Sequence, residues 1–338
     1  MLGYLKDHAL STAKEMVQGL GLVISASTTK RYLNDLIQEG LVVPSGKNKN
    51  RRYDVSPFYD LLRSIDVEKY FEKEIDERVI RQSFDQQLMR QTLSQAAIFN
   101  DDELIRLNEC QQKFNSNAKR LTTAEFNNEM ERLAIDLSWK SSQIEGNTYS
   151  LLETERLLKH KETASGKTRD EATILLNHKE ALDFIVSQKD YINPLTVSSI
   201  EDIHSILIKD LGISRNIRNG RVGISGTNYK PLDNDFQIRE ALADMCELIN
   251  SRENVFEKAL LALVLISYIQ PFADGNKRTG RIISNALLIR HGHCPISFRT
   301  IDSVGYKKAM LVFYEQTCIT PFKKIFIDQF KFAVDTYF

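Results

Sequence analysis

The sequence is short of everything needed for a metal ribbon, a disulfide scaffold or a membrane span. Its four cysteines, Cys110, Cys246, Cys294 and Cys318, lie far apart with no C-x-x-C pair. Neither a zinc ribbon nor a redox dithiol is written in them, and buried free thiols in a reducing compartment are expected. Glycine (15) and proline (7) are scarce in 338 residues, which excludes collagen-like and low-complexity chains. Neither sign of charge is in excess: 45 Lys and Arg balance 45 Asp and Glu, which excludes a uniformly basic nucleic-acid coat and an acidic tail protein. The longest apolar stretch, Ala259 to Ile269, falls short of the roughly 20 residues that cross a bilayer. The first residues, Met1-Leu2-Gly3-Tyr4-Leu5-Lys6-Asp7, lack the basic-then-apolar order of a signal peptide. No membrane partner and a cytoplasmic location are therefore expected.

What is present is an ordinary globular composition, 42% hydrophobic and 27% charged, in a chain long enough for two domains. The first 56 residues carry eight basic side chains against five acidic ones, a local net charge of +3. Ser27 is placed to cap a helix whose Leu33, Leu36 and Ile37 share one face, and Gly40 stands where a left-handed residue ends it. Leu41-Val42-Val43-Pro44, a polar turn and the returning Arg51–Val55 then suggest a hairpin. Two helices and a basic-tipped hairpin resemble a winged helix-turn-helix over residues 1–60. In such a module Thr28, Thr29, Lys30 and Arg31 would lie at the N-terminal end of the second helix, within reach of base edges. Lys47, Lys49 and Arg51 would neutralise phosphates from the wing. DNA and a docked protein are both open as its partner.

Residues 61–104 are charged and lack regular turn signals, and are read as a helical connector. Helical periodicity then recurs over 125–140, 150–160, 171–188, 198–211, 237–250 and 256–270. Gly223, Gly226 and Asn228 mark a hairpin at 220–231. The expected fold class is mostly α, a helical core with a β-hairpin flap preceded by a small α+β domain.

The strongest chemical signal is Gln270-Pro271-Phe272-Ala273-Asp274-Gly275-Asn276-Lys277-Arg278-Thr279-Gly280-Arg281. A Gly-containing loop opening a helix aims backbone N–H groups and the positive helix end at one point, a natural anion site. Lys277, Arg278 and Arg281 add positive charge, and Asp274 offers a hard oxygen ligand suited to Mg2+. A polyphosphate nucleotide with Mg2+ suits this set.

These residues resemble the signature of Fic-domain proteins, His-x-Phe-x-Asp/Glu-Gly-Asn-Gly/Lys-Arg-x-x-Arg, with Phe272, Asp274, Gly275, Asn276, Lys277, Arg278 and Arg281 matching. Ser141-Ser142-Gln143-Ile144-Glu145-Gly146-Asn147 is similar to the family's inhibitory motif, on a helix around 125–147. The resemblance spans about 105–335, which sets the expected Fic-type domain at 105–338. It implies transfer of AMP from ATP to a hydroxyl of a target protein, with the 220–231 hairpin as the docking flap. It further implies that Phe272, Asp274, Gly275, Asn276, Lys277, Arg278, Gly280 and Arg281 form the nucleotide site. Asp274 would hold Mg2+, the 275–278 loop would form the anion hole, and Arg281 would take the γ-phosphate. Ser141, Glu145 and Gly146 would be regulatory, Glu145 pairing with Arg281 at rest. Such a pairing is chemically reasonable, because a carboxylate fills the guanidinium fork that a phosphate needs.

The departure is Gln270, where the family has its general base. A carboxamide orients a hydroxyl but cannot take its proton, and loss of a general base costs about 10²–10⁴ in rate. No other histidine is placed to replace it. His204 reads as a packing residue, His291 and His293 fall about 20 Å along the helix from the phosphate loop, and His8, His160 and His178 are read as surface or capping residues. Two functions follow: an autoinhibited AMP-transferase weakened at Gln270, or a non-catalytic nucleotide-binding regulator acting on DNA or a protein. No residue pattern fixes the oligomeric state, and a homodimer is open as the assembly.

Overall fold

Apolar stripes and side-chain caps account for most of the helices in the chain. The computed structural model describes the backbone of residues 1–338 and every side chain except that of Lys49. Three helices, α1 (Leu2–Asp7), α2 (Ala13–Gly19) and α3 (Ala26–Gln38), precede an antiparallel pair, β1 (Val42–Ser45) and β2 (Arg52–Val55), with Val42 opposite Val55. Leu5, Met16, Leu33, Val42 and Tyr53 form a small core of their own. The cap of α3 is Ser25 rather than Ser27: its Oγ accepts the Thr28 N–H at 3.1 Å, which moves the helix start two residues earlier. Gly40, at φ 72°, ends that helix as expected.

The expected helical connector is helical only in short pieces before α6, namely α4 (Tyr59–Leu62), α5 (Val67–Phe71), a 3-10 turn at Ile75–Glu77 and a π-turn at Leu88–Leu93. Between them the chain is drawn out by distant partners. The Arg81 N–H donates to the Glu315 carbonyl at 2.9 Å, and residues 82–83 run parallel to Lys230.

The large core is built from α6 (Asp101–Ala118), α7 (Thr123–Ile144), α8 (Leu151–His160), α9 (Arg169–Ser187), α10 (Val197–Leu207), α11 (Asp235–Ser251), α12 (Val255–Ile269), α13 (Asn276–Arg290), α14 (Ser303–Gln316) and α15 (Thr320–Tyr337). Capping boxes open α7, α8, α9 and α10 at Thr122, Ser150, Thr168 and Thr196. The 259–269 stretch is buried on every side, so α12 is the central post of the bundle. α6, α14 and α15 lie outside the stretches read as periodic, although Phe322, Phe326 and Phe330 of α15 form a buried i, i+4 stripe.

Residues 220–231 form no hairpin. Their arms do not pair, and β1–β2 is the one sheet among the described residues. Gly220, Gly223 and Gly226 offer no side chains for cross-strand packing. Carbonyls that a ladder would use go elsewhere: the Arg218 guanidinium donates to Gly220, Leu232 and Gln270. The loop is closed only at its foot, by the Gly220 N–H on the Asp233 carbonyl at 2.8 Å.

α13 lies along α12 at close range through Gly280, where an added Cβ would come 3.0 Å from the Leu263 carbonyl oxygen. Gly280 is thus a packing residue just after the loop that joins α12 to α13. The Gly280→Ala variant is expected to lose about 1–3 kcal/mol by overpacking. Gly223→Ala, with open space at its Cβ, is expected to change little in the same urea titration; equal losses would contradict the close-approach assignment.

Candidate functional site

The end of α12, the start of α13 and the end of α7 meet at one cavity. Its volume is about 300 Å³, and its walls are the 270–278 loop, Val222–Ser225, Glu145, and Lys307, Met310, Leu311 and Tyr314 of α14. Pro271 cannot continue α12, and Gln270 ends it in the left-handed region at φ 52°. The Gln270 amide is fully engaged. Its Nε2 donates to the Ser267 carbonyl at 2.6 Å, and its Oε1 accepts from Asn276 Nδ2 at 2.9 Å. Asn276 Oδ1 in turn accepts the Phe272 N–H at 2.8 Å, which closes the loop on itself.

Gly275 starts α13 at φ 79°, and a Cβ there would sit 3.2 Å from His204 Cε1. Any other residue would strain the backbone and meet the imidazole. Asp274 turns one oxygen to the Gly275 N–H at 2.6 Å, while the other is 3.3 Å from Arg278 Nη2. Phe272 is wholly buried and stacks on His204, with ring centroids 3.6 Å apart. Phe272, Gly280 and Arg281 do not line the cavity; the other members of the predicted set do.

Arg281 is fully buried. Its Nε donates to Ser141 Oγ at 2.8 Å, and its Nη2 donates to the Ser141 carbonyl and Glu145 Oε1, each at 3.0 Å. The other Glu145 oxygen lies 3.1 Å from Lys277 Nζ. Both carboxylate oxygens are therefore held by cations. Glu145 caps the C-terminus of α7 and Gly146 follows at φ 102°. A carboxylate there opposes the helix dipole, so the cations, not the helix, keep it in place. Partial burial pushes the Glu145 carboxyl up, but Arg281 and Lys277 outweigh it and hold it below the ordinary value.

Two guanidinium nitrogens at the site, Nη1 of Arg278 and Nη1 of Arg281, are buried with no partner. Buried donors ordinarily find an acceptor, and an anionic oxygen would supply one to either. No group of three or more His, Cys, Asp or Glu that could hold a metal occurs among the described residues. Of the two carboxylates on the cavity wall, Glu145 is held by two cations and Asp274 is paired with Arg278 alone, so Asp274 offers the freer hard oxygens to a cation such as Mg2+.

His204 sits behind the loop with Nδ1 at 3.1 Å from Thr279 Oγ1. Burial, then the Arg278 charge, pushes its pKa down to about 4. It is a neutral packing residue. His178 is neither at the surface nor a cap: it is completely buried in α9, and burial together with Arg281 and Arg278 pushes it well down. No sequence motif marks it, nor Arg218 or Tyr306, whose ring faces the Arg281 guanidinium at 5.3 Å.

In the N-terminal unit, Lys30, Arg31 and Lys47 are exposed, and Thr28 is half-buried with its Oγ1 2.9 Å from Ser25 Oγ. Thr29 is buried and donates to the Ser25 carbonyl, so it is not a candidate base contact. Arg51 lies over the Tyr53 ring at 5.5 Å and faces a cleft shared with Phe99 and Lys323, not the free tip. The Lys49 side chain lies outside the described residues.

Residues 194–288 match the model of the Fic/DOC family. The chain is 28% identical to protein adenylyltransferase Fic of Aedes aegypti over 209 residues, covering 59% of this chain and 40% of that protein. It is 30% identical to the protein of that name from Nematostella vectensis over 177 residues, covering 50% and 40%. The chain thus spans about 40% of the length of these curated relatives. In structure it is similar to Fic-1 (residues 134–508) from Caenorhabditis elegans, with a TM-score of 0.61 at 20% identity over 70% of this chain and 72% of that one. It is also similar to a Fic domain containing signaling protein from Bacteroides thetaiotaomicron, with a TM-score of 0.59 at 20% identity over 69% and 95%. The mostly helical fold is shared with both.

Because the folded pKa of His204 is depressed, its contribution to stability is complete above about 6.5 and is lost as pH falls towards about 4. Wild type should lose roughly 3 kcal/mol across that window beyond what His204→Gln loses, as read from urea unfolding. Parallel curves would show that His204 is not held neutral.

Proposed function

From a chain that carries a Fic-type domain, we propose protein adenylylation: AMP passes from ATP to a protein hydroxyl, and pyrophosphate leaves. The observation that carries this reading is the clamp on Glu145. The two cations that hold it, Lys277 and Arg281, are those a triphosphate would recruit, so the site is built for an anion and closed by one of its own. Arg278 and the N–H groups opening α13 would take phosphate oxygens, Asp274 would hold Mg2+, and Arg281, once released, would take the γ-phosphate. Mg2+ would neutralise charge on the phosphates.

In the transfer itself, the acceptor oxygen attacks the α-phosphorus and the bond to the β-phosphate bridging oxygen breaks. The acceptor proton must go to a base. The Gln270 amide cannot take it, and both ends of that amide are already engaged, so activity is weak or lost by about 10²–10⁴. Glu145 adds autoinhibition, with Ser141 and Gly146 shaping the segment that presents it.

The same locked Gln270 favours a second reading, a regulator that binds nucleotide as ligand. Residues 1–60 would then act as a winged helix-turn-helix, a domain reading supported by their separate core. Residues 61–104 connect it to the Fic-type domain at 105–338. Exposed Lys30, Arg31 and Lys47 suit DNA phosphates, and a homodimer suits a two-fold DNA site. An unidentified target protein is the partner in the first reading.

Incubation with α-labelled ATP, Mg2+ and cell lysate separates the two. Wild type should label protein faintly or not at all, Glu145→Gly should raise the signal, and Glu145→Gly with Gln270→His should raise it about 10²-fold or more. A double variant that binds ATP yet labels nothing would sink the transferase reading. For the regulator, DNA affinity should fall steeply with salt, and neutralising Lys30, Arg31 and Lys47 should lower the logarithmic salt slope by about one per charge. A flat salt response would leave a protein-docking module.

A further inference from the structure

Loop 220–231 has three glycines and no pairing between its arms, so its shape has to be imposed from outside. The connector imposes it. The Lys230 N–H donates to the Gln82 carbonyl at 2.8 Å, and Asn228 Nδ2 donates to Asp76 Oδ1 at 3.1 Å. Between these ties stands Arg78, whose Nη2 donates to the Gly226 carbonyl at 2.7 Å. Its Nη1 lies 3.2 Å from Glu315 Oε1 on α14, and the side chains are 2% and 0% exposed. Glu315 also accepts from the Tyr70 hydroxyl at 2.6 Å, and Phe71 stacks 4.8 Å from the guanidinium.

One buried charge therefore joins two walls of the cavity. Gly226 ends the wall formed by Val222–Ser225, and Glu315 follows Tyr314, the last cavity residue of α14. At the junction a Cβ on Gly226 would come 3.3 Å from Leu311 Cδ1, so the loop tip rests on α14. A guanidinium is a rigid, permanently charged plane, and removed from water it holds the Gly226 carbonyl by a hydrogen bond and the Glu315 carboxylate by charge at the same time. Among the described hydrogen bonds Arg78 makes none to the 270–281 loop.

We infer that Arg78 is a positioning residue that fixes loop 220–231 against α14, so that the acceptor side of the cavity, and not nucleotide binding, depends on the connector. The inference rests on the adenylylation reading for its functional consequence and on geometry for its mechanical one.

The test uses the full chain carrying Glu145→Gly and Gln270→His. Arg78→Lys keeps a charge beside Glu315 and loses the second branch of the fork. Asn228→Ala unties the loop without touching the buried pair, which covers the case in which the lysine variant fails to fold. Three quantities are read: amide exchange across 220–231, Mg-ATP affinity, and label transfer to lysate protein. Arg78→Lys should speed exchange of the loop amides about tenfold, as loss of one hydrogen bond from a charged donor implies. Label transfer should fall while the Mg-ATP Kd and the KM for ATP hold, and Asn228→Ala should move the same readouts less. Unchanged loop exchange in Arg78→Lys, or label transfer that falls only in step with ATP affinity, would overturn the inference. A parent that labels nothing counts against the adenylylation reading alone, since loop exchange and Mg-ATP affinity still decide what Arg78 holds.

Discussion

The guanidinium of Arg281 is fully buried, so its N–H groups have to be met from the protein. α7 meets most of them, through Ser141 and Glu145, and so has to lie against α13. Removing one partner from a buried pair costs about 3–5 kcal/mol, because the remaining charge is stranded. Glu145 thus has a packing role beside any regulatory one. The arrangement is also exchangeable in principle: an incoming phosphate satisfies the same fork, so the cost of displacing one anion is offset by the arrival of another.

The second constraint is the polar staple of Gln270 and Asn276, which fixes the loop between α12 and α13 without any titratable group. His204 lies close by, stacked on Phe272 and held neutral under the loop. The cavity therefore sets Lys277, Arg278 and Lys307 against Glu145 and Asp274, each carboxylate already paired with a cation, and no histidine lines it. That combination suits binding of a polyphosphate better than it suits a transfer that must remove a proton.

Much of this was legible in the sequence. The apolar 259–269 stretch marked the central helix, and residues 270–281 and 141–147 stood out as two segments that the structure brings together, because both signals are local. Most of the misses share one physical cause, partners far away in the chain. The connector is extended and the 220–231 loop unpaired because Arg78, Gln82 and Arg218 find partners over 100 residues away or take carbonyls that a ladder would use. His178 is buried by helices that its own sequence neighbours do not reveal. Ser25 and Ser27 are both good caps by type, and only backbone geometry separates them. Gly280 carries two signals at once, a motif position and a helix contact, and the contact is what the packing uses.

The account turns on whether Glu145 and the γ-phosphate compete for Arg281. The direct measurement is the affinity of Mg-ATP relative to Mg-ADP in wild type and in Glu145→Gly, by calorimetry at equal ionic strength. In wild type the two nucleotides should bind alike, because the fork is occupied. In Glu145→Gly, ATP should gain about tenfold over ADP, near 1.4 kcal/mol. The same ratio in both proteins would contradict the account, because Arg281 would then have no part in reading the third phosphate.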